Sequence, residues 1–381
     1  MQKQNEVLKV ATITDYIDWR GDIRFAVSPF NEVDSYIISK LGSPDFTGIV
    51  PKNGFVSVRE AVEGMEKKEI NTLGALSSQY VLETIRRLPE TPRYKDLRLG
   101  DYVSIFDEEK GEQFSALTVI LPDNTRYIAF RGTDDTLLAW KEDFMLGATG
   151  IIPAQWDAAE YLRAEASKSD DPIIIGGHSK GGNLAVFAAM TASAQTKSKI
   201  SSVYNFDGPG FFKDVSQNRG FLAIRPKLHT IVSKNTTVGV ILYFDKDCEI
   251  VDTDVSGISA HDGFKWKVKG TSFVRAEGFS AATKAFRDAA FEVSRTLTPE
   301  EIAETADSMY SILSSEGAET ITDLTESKLR EAVSVTNELR KDPSVSRFFE
   351  LLTEQWIRNM AELGRMKIPK VRLRVIRRHR L

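Results

Sequence analysis

Ser179 stands at the centre of Gly177-His178-Ser179-Lys180-Gly181, which fits the spacing G-x-S-x-G. A serine hydroxyl is a poor nucleophile near neutral pH, and it attacks a carbonyl carbon only when a neighbouring base removes its proton. The pattern carries weight where a strand enters it and a helix leaves it, because that sharp turn lifts the hydroxyl clear of a sheet. Both flanks qualify. Residues 172–176 form a short run apolar on both faces, as suits a central parallel strand, and 182–194 is an Ala-rich predicted helix. Glycine at 177 and 181 removes the β-carbon that would collide as the backbone reverses. The spacing is neither G-x-G-x-x-G nor that of a phosphate-binding P-loop.

In hydrolases built on such a turn the chain order is Ser, then Asp or Glu, then His. Three histidines follow Ser179. His229 opens a predicted strand, His379 lies in a basic terminal run, and His261 sits in the loop Ser259-Ala260-His261-Asp262-Gly263. His261 is therefore the expected base. For the acid, Asp207 comes directly after the next predicted strand, at the carboxyl end where functional groups of parallel sheets collect. Asp245, Asp247, Asp252 and Asp254, on the approach to His261, remain alternatives. The negative charge that develops on the carbonyl oxygen needs donors already aimed at it. The backbone N–H of Lys180 is one candidate. Thr133, in Phe130-Arg131-Gly132-Thr133-Asp134 after an earlier strand, is the other.

These residues need a scaffold, and the pattern around them alternates. Strands are predicted at 114–121, 126–130, 172–176, 203–206, 229–233, 238–244 and 249–251, with helices at 137–146, 154–167 and 182–194 between them. Such alternation indicates an α/β fold with a mostly parallel central sheet flanked by helices. Residues 1–100 read as an N-terminal helical region packed on the core, with helices at 30–41, 56–69 and 75–87. The core itself is assigned to 101–295, a C-terminal helical appendage to 296–366 and a basic tail to 367–381. The helix at 137–146 reads equally as a mobile lid or as part of the core.

Bulk composition excludes several classes. A net charge of −4 argues against nucleic acid as the main partner. A single cysteine, Cys248, cannot close an intramolecular disulfide, and no Cys/His spacing suits a zinc site, so neither metal nor cofactor is expected. The first twenty residues lack the apolar stretch of a secretory signal and no segment is long enough to span a bilayer, which makes the cytoplasm the expected location.

Two blocks, Phe130-Arg131-Gly132-Thr133 with Trp140 and Asp143, and Gly177-His178-Ser179-Lys180-Gly181-Gly182, together resemble the class 3, fungal-type, lipase family. Tyr16-Ile17-Asp18-Trp19-Arg20-Gly21-Asp22, Pro29-Phe30-Asn31-Glu32-Val33-Asp34 and the Ser-Lys form of the elbow look like the bacterial, lipase-like Mbeg1-like family, over residues 1 to 270 or so. The resemblance implies an α/β-hydrolase fold, with Ser179 as nucleophile, His261 as base and Thr133 at the oxyanion position. It implies no settled substrate. Class 3 lipases carry their acid in a D-x-V segment after a later strand, where this chain has Asn235-Thr236-Thr237-Val238. Phe206-Asp207-Gly208-Pro209 is instead similar to the pancreatic-type arrangement. Lys180 also departs from the apolar residue usual after the nucleophile.

The expected activity is hydrolysis of a carboxylic ester with an apolar acyl group, the partner being a small-molecule ester or a lipid. A thioesterase or acyltransferase using the same nucleophile, and a non-catalytic scaffold on the same fold, are the competing readings. The basic tail is either a solvated end or a peripheral contact to an anionic membrane surface.

Overall fold

The computed structural model describes residues 11–364 other than 76, 316, 327 and 328. The basic tail therefore lies outside the described residues. In chain order the elements are α1 (Ile13–Arg20), α2 (Glu32–Lys40), β1 (Phe55–Ser57), α3 (Val58–Lys67), α4 (Gln79–Arg87), β2 (Arg98–Asp107), β3 (Glu112–Ile120) and β4 (Arg126–Phe130). Then come α5 (Leu137–Met145), α6 (Pro153–Lys168), β5 (Ile173–His178), α7 (Lys180–Thr191), α8 (Ala194–Lys199), β6 (Ile200–Phe206), α9 (Arg219–Ile224), β7 (Leu228–Ser233) and β8 (Glu249–Val251). The chain closes with β9 (Val268–Lys269), β10 (Ser272–Phe273), α10 (Ala281–Thr296), α11 (Pro299–Ser314), α12 (Ile321–Glu326), α13 (Leu329–Lys341) and α14 (Pro343–Glu362).

Strands β1 to β8 form one sheet in sequential order, with β4 to β8 mutually parallel and β1, β2, β3 and β4 pairing antiparallel. Six strands, β2 and β4 to β8, thus run in one direction. The fold is α/β, a mostly parallel sheet between helices. Right-handed crossovers that march one way along a sheet put every connecting helix on the same face. Here α6, α7 and α9 do so, over a core that includes Ile128, Phe130, Ile173 and Ile175. The alternate residues Tyr127, Ala129 and Ile174 point to the opposite face, which the crossovers leave bare. The N-terminal helices cover it, with Ile13, Tyr36, Val62 and Leu82 in that second core.

A buried ion pair organises this N-terminal layer. Arg93 Nη2 meets Asp34 Oδ2 at 2.5 Å, both side chains fully buried. Asp34 Oδ1 also accepts from Tyr16 Oη (3.1 Å) and Tyr94 Oη (2.6 Å), and Arg93 donates to the carbonyls of Ile23, Ser28 and Pro29. Every lone pair and N–H of the pair that matters is used, as a buried charge requires.

Several expectations change. The first hundred residues are not wholly helical, because β1 and the start of β2 belong to the sheet. Residues 98–107 hid as a strand because the register with β3 shifts between Gly100 and Val103, and Asp101 takes φ 56° there, breaking the alternation. Residues 238–244 are not a strand. They bend around Asp207, with Leu242 at φ 60°, and a β-carbon on Gly239 would lie 2.5 Å from Asp207 Oδ1. At the other end, α10, α11 and α14 gather around a small cluster of Ala148, Val293, Leu297 and Ile302. No helix among the described residues is long and apolar enough to cross a membrane.

Candidate active site

The strand ends of β4, β5 and β6, and the loop after β8, converge at the carboxyl edge of the parallel strands. Ser179 follows β5 immediately and precedes α7, so it sits on the turn itself. Its backbone takes φ 58° and ψ −131°, a region that residues with a β-carbon avoid. Its amide donates to Phe206 O at 3.0 Å, which hangs the turn from the end of β6. At Gly177 a β-carbon would overlap the backbone of Gly181, so the reversal requires glycine there.

Asp207 directly follows β6, is fully buried and also has positive φ, 51°. Its Oδ2 lies 2.6 Å from His261 Nδ1 and accepts the Thr236 hydroxyl at 2.6 Å, while Oδ1 accepts the Ser233 amide at 3.2 Å. The donors hold a carboxylate in one orientation toward the imidazole. Thr236 comes from the segment Asn235-Thr236-Thr237-Val238, which thus contributes a hydroxyl to Asp207. The rival aspartates go elsewhere. Asp245 accepts from Thr230, Asp247 pairs with Arg225, Asp252 with Lys234 and Lys267, and Asp254 with Lys267.

His261 closes a 3₁₀ turn, Gly257–His261, and its side chain is 14% exposed. The loop carrying it is braced from below. His178 Nε2 lies 2.7 Å from the His261 carbonyl and His178 Nδ1 is 3.4 Å from Lys40 Nζ. The carbonyl can only accept, so His178 carries its proton on Nε2 and takes the lysine donor on Nδ1. Burial and the neighbouring Lys40 charge hold the His178 imidazole well below its usual range, which keeps it neutral. Burial also lowers Lys40, to about 8. Tyr36, on α2, accepts the Gly263 amide at 3.0 Å and packs its ring edge-on against His178 at 5.7 Å.

Thr133 donates its hydroxyl to Asp143 Oδ2 at 2.5 Å. Burial raises the Asp143 carboxyl from 3.8 to about 6, against the opposing pull of Lys180 and of the Thr133 hydroxyl. Asp143 Oδ1 and Trp140 Nε1 are buried without a hydrogen-bond partner among the described residues. Lys180 heads α7, so its amide is one of the first-turn N–H groups that have no partner within the helix. Its side chain turns inward to Glu142.

Ser179, His261, Thr133, Lys180 and Asp143 all line one cavity of about 780 Å³. The structure thus brings Ser179, His261 and Thr133 to the lining of the same cavity, with Asp207 bonded to His261. Residue patterns singled out these four, but not the bracing set of Tyr36, Lys40, His178 and Glu142. Those partners lie between 38 and 227 residues away in sequence, so no local spacing announces them. No cluster of His, Cys, Asp and Glu that could hold a metal ion occurs among the described residues.

A family model described as Mbeg1-like matches residues 88–311. No curated protein matches the sequence. Among solved structures, the crystal structure of M37 lipase is similar at 14% identity and a TM-score of 0.31, covering 47% of this chain and 69% of that chain.

Proposed function

The chain belongs to the Mbeg1-like family, and on that premise we propose that it is a serine ester hydrolase working through an acyl-enzyme on Ser179. The observation that carries the reading is the 2.6 Å bond between buried Asp207 and His261 Nδ1, at the rim of a cavity that also holds a strained serine. An imidazole held on Nδ1 by a carboxylate presents Nε2 as a base.

In the first step Ser179 Oγ bonds to the ester carbonyl carbon and its proton passes to His261 Nε2. The carbonyl oxygen takes the negative charge, facing the backbone N–H groups of Lys180 and Thr133. The C–O bond to the alcohol then breaks, and the leaving oxygen takes the proton from His261. A water molecule repeats the sequence on the acyl-serine: its proton goes to His261, its oxygen bonds to the carbonyl carbon, and Ser179 Oγ leaves with the proton. The products are a carboxylic acid and an alcohol. The apolar side chains around much of the cavity support an apolar acyl group.

Labelling with a fluorophosphonate probe tests the reading, because the probe reacts only with an activated serine. Wild type and Asp247→Asn are expected to label, and Ser179→Ala and His261→Ala not to. Asp207→Asn is expected to slow labelling by about 10⁴-fold, the cost of presenting the wrong imidazole tautomer. A folded wild type that stays unlabelled would instead favour the non-catalytic scaffold.

A further inference from the structure

The walls of the cavity differ in chemistry according to the part of the chain that builds them. One side comes from the C-terminal helices: Val293 on α10, Ile302 on α11, and Phe348 and Leu352 on α14. These side chains lie around the small cluster between the helices and the body of the protein, and Phe348 meets Phe144 of α5 edge-on at 5.8 Å. Another part of the wall comes from the segment between α2 and α4 and from the loop after β4, with Asp45, Lys68, Thr72, Ser78 and Arg131 among its lining. Ser179 and His261 line the same continuous space.

The cations on the polar side, Lys40, Lys68 and Arg131, are matched in number by the carboxylates Asp45, Asp134 and Asp135. Arg131 pairs with Asp134 at 3.1 Å, Lys68 donates to the Thr47 carbonyl, and Asp45 accepts from Tyr102 Oη at 3.2 Å. A phosphate-bearing head group calls for surplus cations and unused donors. This surface offers hydroxyls and as many carboxylates as cations instead, which suit an uncharged alcohol. A second or third acyl chain would have to lie against those ions, at the cost of their desolvation.

We propose that the substrate is a single long acyl chain esterified to a small uncharged polar alcohol. The chain runs into the arm walled by α10, α11 and α14, and the alcohol leaves toward the side built from residues 40–78. This rests on the ester-hydrolase reading above. Cleavage breaks the acyl C–O bond, giving the fatty acid from the apolar arm and the free alcohol from the polar side. α14 lies outside the segment that the family model matches, so part of the arm's wall comes from beyond that segment.

The test compares hexadecanoylglycerol, butanoylglycerol, trihexadecanoylglycerol and a lysophosphatidylcholine in one detergent, with the Ser179→Ala protein as blank. The wild type is expected to prefer hexadecanoyl over butanoyl glycerol, gaining about fourfold in kcat/KM per methylene that enters the arm, the equivalent of about 0.8 kcal/mol. It should act on the triester and the phospholipid far more slowly. Leu352→Trp, which fills the arm, should lower the hexadecanoyl-to-butanoyl ratio by tenfold or more, and Leu352→Ala should shift it toward longer chains; a thermal melt of each variant verifies folding. A ratio that neither variant moves, or a triester or phospholipid cleaved as fast as the monoester, overturns the inference while Ser179 still labels with the fluorophosphonate. A protein that neither labels nor cleaves any ester overturns the hydrolase reading and the inference together.

Discussion

Lys180 Nζ meets Glu142 Oε2 at 2.7 Å inside the protein, each side chain 1% exposed. The ammonium also donates to Gln113 O and Gln113 Oε1, both at 2.8 Å, so its three N–H groups are all used. Glu142 in turn accepts the amides of Gln113 and Ala154. The residue after the candidate nucleophile is thereby tied to β3 and to α5. This accounts for a charged side chain inside the protein at that position. It also decides between the two readings of residues 137–146: a helix whose Leu137, Leu138, Ala139 and Glu142 are buried, and whose carboxylate anchors the elbow, belongs to the core.

Breaking that pair from one side should be costly. Lys180→Met leaves the Glu142 carboxylate buried and unpaired, and a loss of about 3–5 kcal/mol in unfolding free energy is expected. Lys180→Met with Glu142→Leu removes the stranded charge as well, so the double variant should lose less than the sum of the two single losses. Urea unfolding of the four proteins measures the coupling. Strict additivity would show that the two side chains do not stabilise one another.

Tyr36 links an N-terminal helix to the loop that carries His261, and its hydroxyl accepts the buried Gly263 amide at 3.0 Å. Tyr36→Phe keeps the ring contacts and strands that N–H, which costs about 1–3 kcal/mol. The functional consequence is separable from the stability loss. A loosened loop places the imidazole less well, so kcat should fall by about tenfold or more while KM holds, since a small misplacement is felt in the reacting geometry. His178→Phe, which removes the bond to the His261 carbonyl, should act in the same direction. A rise in KM at constant kcat would assign Tyr36 to the substrate wall instead.

How much of this was legible follows from the range of the interactions. The elbow reads from five consecutive residues because the constraint is local: a strand, two glycines and a helix start. Asp207 reads from its place at the end of β6, since strand ends deliver side chains to one edge whatever the rest of the chain does. What pairs with what does not read. Thr236 on Asp207 and Lys180 on Glu142 are contacts across 29 and 38 residues between segments that have no pattern in common. β2 failed for a different reason, as the register shift at Gly100 breaks the period on which strand prediction depends. The N-terminal layer was visible as helices, but its task followed only from the strand order, which leaves one face of the sheet without crossovers.

Asp143 sets a test in pH. Its carboxyl, raised by burial from 3.8 to about 6, holds its proton more tightly in the folded protein than in the unfolded chain. Between those two values the folded state binds more protons, so the stability this group contributes is fully present below 3.8 and is lost as pH rises through about 6. Asp143→Asn cannot ionise and keeps an oxygen to accept the Thr133 hydroxyl. It should therefore melt higher than the wild type near neutral pH, and the gap should close as pH falls below the wild-type carboxyl's unfolded value. Turnover should move the other way. An amide holds the Thr133 hydroxyl less firmly than a carboxylate does, and a loss of about tenfold in kcat is expected, short of the roughly 10²–10³-fold cost of deleting a whole oxyanion donor. Melting curves of the two proteins across that pH range decide the matter: a gap that stays constant with pH would mean that Asp143 titrates in the folded protein as it does in the unfolded chain.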